Sequence, residues 1–227
     1  MINNFCETTV LSATLSFASE SNLPTLKKNK ATIQLKEKTI QLWVPDQIEL
    51  QSSYQQQEQT TAFPYWAKLW PAAVALSTFI LDNPELIKNK VVLELAAGLG
   101  LPSLVASEFA SSIIYSDYDS QAVAFIEDNI VLNGIQNMVA AEINWTCLPA
   151  DLSCDLLLLS DINYDPKEFS VLFELIKTFL EKGITILLST PQRLAGRDFI
   201  EQLLPYTVLN KEVWQEQIPL NILVLKN

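Results

Sequence analysis

Two rhythms of apolar and polar residues divide the chain. Ala31 to Pro45, ATIQLKEKTIQLWVP, alternates with a period of two on either side of Lys36-Glu37-Lys38, which predicts a short β-hairpin. The thirty residues before it are polar and irregular, and the Gln-rich piece from Gln47 to Thr61 predicts a mobile loop. PYWAKLWPAAVALSTFILDNP then predicts an amphipathic helix that stops near Asn83-Pro84.

From residue 90 short apolar runs alternate with helical patterns. The runs are VVLEL, SIIYSD, MVAAEIN, DLLLLSD and ITILLST, with Asn133-Gly134 and Gly183 ending helices and Asp165-Pro166 opening one. Continuous apolar strands such as Leu156 to Leu159 imply burial on both faces, as in a parallel sheet covered by helices. The tail adds two strand-like runs, Thr207 to Val213 and Ile218 to Leu225, joined by about four residues. The fold expected is α/β and Rossmann-like: a doubly wound, seven-stranded sheet with a C-terminal antiparallel strand pair and a small N-terminal hairpin appendage. Residues 1–62 form the N-terminal extension and 63–227 the main domain.

Composition narrows the chemistry. Net charge is −11, from 26 acids and 15 bases with no basic block, which disfavours nucleic acid and anionic membranes as partners. There is no histidine, so Ser-His and Cys-His dyads are excluded, and Cys6, Cys147 and Cys154 lack the spacing of a zinc site; no metal is expected. No apolar run reaches the roughly 18 residues that span a bilayer, and no secretory leader is recognisable, so a cytoplasmic protein is expected. Oligomeric state is not legible.

The first βα turn of the series, VVLELAAGLGLPSL, carries the ligand question. Gly98, Gly100 and Ser103 stand where a dinucleotide fingerprint puts its small residues, and Asp117 stands where a ribose-binding acid belongs. Glu94 at the strand end argues against a pyrophosphate, because like charges repel at short range. A cationic, phosphate-free ligand with a ribose fits better, and S-adenosylmethionine has an ammonium, a sulfonium and a ribose. A nicotinamide oxidoreductase is disfavoured by Glu94, by the terminal strand pair and by the absence of histidine or a Tyr-x-x-x-Lys pair.

These residues resemble the class I, seven-strand S-adenosylmethionine-dependent methyltransferases from about Pro64 onward. ELAAGLG is similar to their first motif, E/D-x-G-x-G-x-G, with Ala96 in place of the first glycine. FPYWAKLWPAAVALSTFILDNP, YSDYD, NW and SDINY resemble the protein-lysine and small-amine branch, which includes the enzyme acting on lysines of the electron-transfer flavoprotein β subunit. The resemblance implies an N-methyltransferase acting on a protein lysine, with a small amine as the alternative acceptor; a non-catalytic binding protein on the same fold is the reading from another class.

The cofactor residues implied are Trp70, Glu94, Ala96, Gly98, Gly100, Asp117, Tyr118, Asn144, Trp145 and Asp161. Asp161 and Tyr164, an acid-x-x-aromatic motif after the fourth strand, are the catalytic candidates: the acid to orient an amine, the ring to favour a cation. Each has a plainer reading. Glu94 can cap the loop after its strand, Asp119 and Asp161 can cap helices, Trp70 can staple a helix start, and Trp145 and Tyr164 can pack in the core. Arg193 and Arg197 read as a solvated helix face, and the hairpin as a lid or platform that names no substrate.

Overall fold

The computed structural model describes residues 26–56 and 63–227. Strands β1 (Lys28–Leu35) and β2 (Lys38–Pro45) pair antiparallel around a turn at Lys36-Glu37. The hairpin therefore begins three residues earlier than the alternation predicts, within what reads as irregular sequence.

Gln47 to Gln56 is a helix, α1, and not a loop. Asp46 caps it, its carboxylate accepting from the Ile48 and Glu49 amides at 3.0 and 3.1 Å, and these bonds hold that carboxyl below the usual carboxylate range. Glutamine is a fair helix former, and Leu50 supplies an anchor by packing with Leu26, Trp66 and Phe125. The remainder of the expected loop, residues 57–61, lies outside the described residues.

The main sheet has seven strands: β3 (Val91–Glu94), β4 (Ser112–Asp117), β5 (Met138–Glu142), β6 (Leu156–Ser160), β7 (Thr185–Pro191), β8 (Thr207–Gln215) and β9 (Ile218–Leu225). Their order is β5-β4-β3-β6-β7-β9-β8, and only β9 runs against its neighbours. The β8–β9 connection is the two-residue turn Glu216-Gln217, both at positive φ, so β8 runs two residues beyond its expected end.

Successive strand residues point to opposite faces. Val92, Ile113, Leu156, Leu158 and Leu187 face one core, shared with α2 (Pro71–Asp82), α3 (Leu101–Ala106), α4 (Ser120–Leu132) and the hairpin's Leu35, Ile40 and Leu42. Leu93, Leu157, Leu159, Ile186 and Leu188 face the other, beneath α5 (Phe169–Glu181) and α6 (Arg197–Leu203).

The hairpin is bound to this body by polar contacts as well. Asn129 and Asn133, one turn apart on α4, read the open edge of β2: Asn129 accepts from the Trp43 amide at 2.6 Å and donates to its carbonyl at 3.2 Å, and Asn133 donates to the Gln41 carbonyl at 2.8 Å. Lys28, Lys36 and Lys38 pair with Asp128, Asp82 and Glu108 on three different segments. The hairpin is thus docked on the body at several points.

Candidate functional site

Strand order reverses between β3 and β6, where a doubly wound sheet opens a crevice beyond its strand ends. A cavity of about 220 Å³ lies there, lined by the β3–α3 loop, Asp117 and Tyr118 at the end of β4, Ser160 to Ile162 and Tyr164 at the end of β6, Arg193 after β7, and Tyr65, Trp66 and Lys68 to Trp70. A second depression of about 280 Å³ adjoins it and shares Ala96, Tyr118 and Tyr164; Asn144, Trp145, Asp165 and Glu168 form its other walls. Two tyrosines thus divide the ground on which the expected residues stand.

The loop is built for close backbone approach. Gly98 (φ +57°) and Gly100 (φ +68°) are left-handed; a methyl on Gly98 would stand 3.1 Å from the Trp66 carbonyl oxygen, and one on Gly100 2.6 Å from Ile126. Ala96 is also left-handed, at φ +50°, and carries the strain a glycine would avoid, about 1–2 kcal/mol.

Glu94 does not line the cavity. It is fully buried behind the loop, where Oε2 accepts from the Ser103 amide at 2.9 Å and from its hydroxyl, while Oε1 has no hydrogen-bond partner. Burial pushes its carboxyl up to about 8 against the pull of the Ser103 bonds, with Asp117 adding to the rise. A carboxyl in that condition is largely neutral at pH 7, so its charge is not what turns a phosphate away. The amides are: Gly98 donates to Asp117 at 2.9 Å, Gly100 to the Ala97 carbonyl at 2.9 Å, and Ser103 to Glu94, so three N–H groups of the turn are already engaged.

Asp117 lines the cavity and ends β4. Its Oδ2 takes the Gly98 amide and its Oδ1 the Asp119 amide at 3.1 Å, while burial raises its carboxyl above the ordinary value despite those bonds. Asp119 accepts from the Gln121 amide at 2.8 Å and caps α4, the plainer of its two readings. Trp70 precedes α2 and lines the cavity, with its indole N–H donated to the Tyr65 carbonyl at 2.8 Å. Asn144 spends its side-chain oxygen on Thr146, and Trp145 packs partly against the second core, so the two meet only the adjoining depression.

Asp161 follows β6 at φ +55°, its amide donated to the Ser189 carbonyl at 2.9 Å. Its carboxylate faces Arg193, which donates from Nη1 at 2.5 Å and Nη2 at 3.0 Å in a two-point pair. Helix capping here belongs instead to Asp165, which accepts from the Lys167 amide. Tyr164 is half exposed and stacks on Tyr65, centroids 5.1 Å apart, with Phe63 edge-on to Tyr65 at the same distance. Arg193 and Tyr65 are the site residues the sequence conceals. Arg193 is indistinguishable there from Arg197, which pairs with Glu201 on an exposed helix face; its place just past the fifth strand-like run was the one available signal.

The residues present fit S-adenosylmethionine: a tight left-handed glycine loop on the cavity wall, engaged loop amides, and a buried acid at the end of β4 for a ribose diol. Fold and site together define the class, that of the seven-stranded Rossmann-like methyltransferases. The Thermus thermophilus 16S rRNA N2 G1207 methyltransferase, solved in complex with AdoMet and guanosine, shares this fold with a TM-score of 0.62, over 91% of this chain and 52% of its own, at 13% identity.

More narrowly, the chain belongs to the lysine methyltransferase family, which it matches over residues 47–204. It is 34% identical over 144 residues to the rat electron transfer flavoprotein beta subunit lysine methyltransferase, covering 62% of this chain and 56% of that protein. It is 30% identical over 140 residues to the protein N-terminal and lysine N-methyltransferase EFM7 of Cryptococcus neoformans, covering 54% and 46%. The chain thus spans about half the length of the curated relatives it matches.

Proposed function

We propose that this protein is an S-adenosylmethionine-dependent N-methyltransferase acting on lysine side chains of a protein. One observation carries the reading: the glycine loop and Asp117 share a single cavity with Asp161 and Tyr164. A cofactor cradle and an amine-binding pair therefore open onto the same space. Membership of the lysine methyltransferase family, and the printed activities of the relatives above, support lysine over a small amine.

When bound, S-adenosylmethionine supplies an already activated methyl group, so the chain's task is alignment and exclusion of water. Gly98 and Gly100 let the backbone approach, Asp117 takes the ribose hydroxyls, and Glu94 holds the loop from behind through Ser103. Trp70 and Tyr118 supply walls, and Ala96 extends the floor toward Asn144 and Trp145, which bound the adenine side. Asp161 receives the acceptor amine, and the rings of Tyr164 and Tyr65 flank its path.

Calorimetry tests the cofactor assignment. S-adenosylhomocysteine is expected to bind in the micromolar range, Asp117→Ala to weaken it at least tenfold, and NADH not to bind; NADH binding in its place would overturn the assignment. Incubation with labelled cofactor and a cytosolic extract tests the acceptor. Label is expected in a protein band, and label confined to small molecules would replace lysine by the small-amine alternative.

A further inference from the structure

Asp161 is not a bare carboxylate. Arg193 holds both its oxygens, and the charged groups lining the cavity are two acids, Asp117 and Asp161, against two bases, Arg193 and Lys68. Asp117 is engaged by two amides, and the Lys68 ammonium lies 4.6 Å from the Trp70 ring centroid. Tyr65, Tyr118 and Tyr164 are the remaining titratable groups on these walls.

This balance matters because of what an amine must do to accept a methyl group. Its nitrogen lone pair forms the new C–N bond while the C–S bonding pair returns to sulfur, so the nitrogen must first have given its proton to water. An unpaired, nearly buried carboxylate would hold the amine as an unreactive ammonium. The same carboxylate paired with a guanidinium carries no net charge, yet keeps about two of its four acceptor sites for an N–H of the neutral amine. A cation standing next to an amine favours the amine's neutral form, as with lysines activated by a cationic neighbour.

We propose that Arg193 is the residue that keeps the acceptor amine neutral: by pairing with Asp161 it turns a site that would trap ammonium into one that orients a free amine. It acts through Asp161 and by its charge, and so is a positioning residue. The proposal rests on the reading of the cavity as a methyl-transfer site with Asp161 at its acceptor end.

Sinefungin tests it without an acceptor or turnover, since it carries a primary amine where the cofactor carries its methylated sulfonium. Binding of sinefungin and of S-adenosylhomocysteine to the whole chain is measured by calorimetry near pH 8, in two buffers of different ionisation enthalpy. That design gives dissociation constants and the protons released. The wild type is expected to release more protons with sinefungin than with S-adenosylhomocysteine. In Arg193→Met that excess is expected to vanish, and the ratio of the two constants to move about tenfold in favour of sinefungin.

Arg193→Lys, which keeps the charge and loses the fork, is expected to behave as wild type. An unchanged ratio and proton count in Arg193→Met would overturn the proposal, as would Arg193→Lys behaving like Arg193→Met. Arg193→Gln is the second neutral variant; loss of S-adenosylhomocysteine binding in both would also overturn it, by assigning Arg193 to the cofactor end or the fold. Asp161→Asn separates the underlying reading: it is expected to weaken sinefungin about tenfold more than it weakens S-adenosylhomocysteine. No effect there would remove Asp161 from the acceptor end, and failure of the wild type to bind either compound would remove the methyl-transfer reading itself.

Discussion

Glu94 is where the residue scale departs furthest from what its charge suggests. Unfolded, its carboxyl titrates near 4.5; folded, near 8, because burial penalises the ion. Between those values the folded chain keeps a proton that the unfolded chain has lost. The stability owed to the neutral carboxyl is complete below about 4.5 and declines as pH climbs toward 8, by at most about 1.4 kcal/mol per unit. Glu94→Gln, neutral throughout, is expected to lose that slope: its melting temperature should gain on the wild type from pH 5 to pH 8 and then run parallel. Equal slopes in the two proteins would mean that Glu94 is ionised in the fold.

At the level of elements, the rhythm of residues 90 to 225 was legible because buried parallel strands and amphipathic helices impose different periods, and those periods survive in the sequence. What was not legible depends on partners distant in the chain. Helix α1 is mostly polar, and the contacts that fix it, the Asp46 cap, the buried Leu50 and Gln47 donating to the Ala67 carbonyl, all reach outside it. The polar part of the hairpin's docking uses Asn129, which reads as an ordinary polar position of α4, and Asn133, which reads only as a helix end, until β2 is laid beside them. Of the candidate site, the loop, Asp117 and the Asp161-Tyr164 motif could be named from spacing. The pairing of Asp161 with Arg193 joins residues 32 positions apart on adjoining strand ends, and no local pattern encodes it. Asn129→Ala leaves the Trp43 amide and carbonyl without a partner in a partly buried setting, and is expected to cost about 1–3 kcal/mol in urea unfolding. A loss below about 0.5 kcal/mol would show that the apolar face of the hairpin holds it alone.

For the whole molecule, charge is distributed to a purpose that differs from the site's. The chain carries −11 overall, whereas three lysines of the hairpin, Lys28, Lys36 and Lys38, pair with acids of the body and the cavity itself is balanced. The net negative field steers basic protein surfaces toward the chain, and salt screens such steering. Methylation of the proposed protein acceptor is therefore expected to fall severalfold when ionic strength rises from about 0.05 to 0.5 M, while S-adenosylhomocysteine affinity changes little. Equal rates at both salts would leave the overall charge without a part in acceptor capture.

The asparagine grip on β2 has a practical corollary for anyone who shortens this protein. Helix α4 is a strut: the far end is held by the hairpin through Asn129 and Asn133, and the near end is capped by Asp119, two residues past Asp117. Trimming to residues 47–204, the span shared with the family, would leave those two carboxamides facing water and the strut clamped at one end only. Fragments intended for ligand-binding work should start upstream of Lys28.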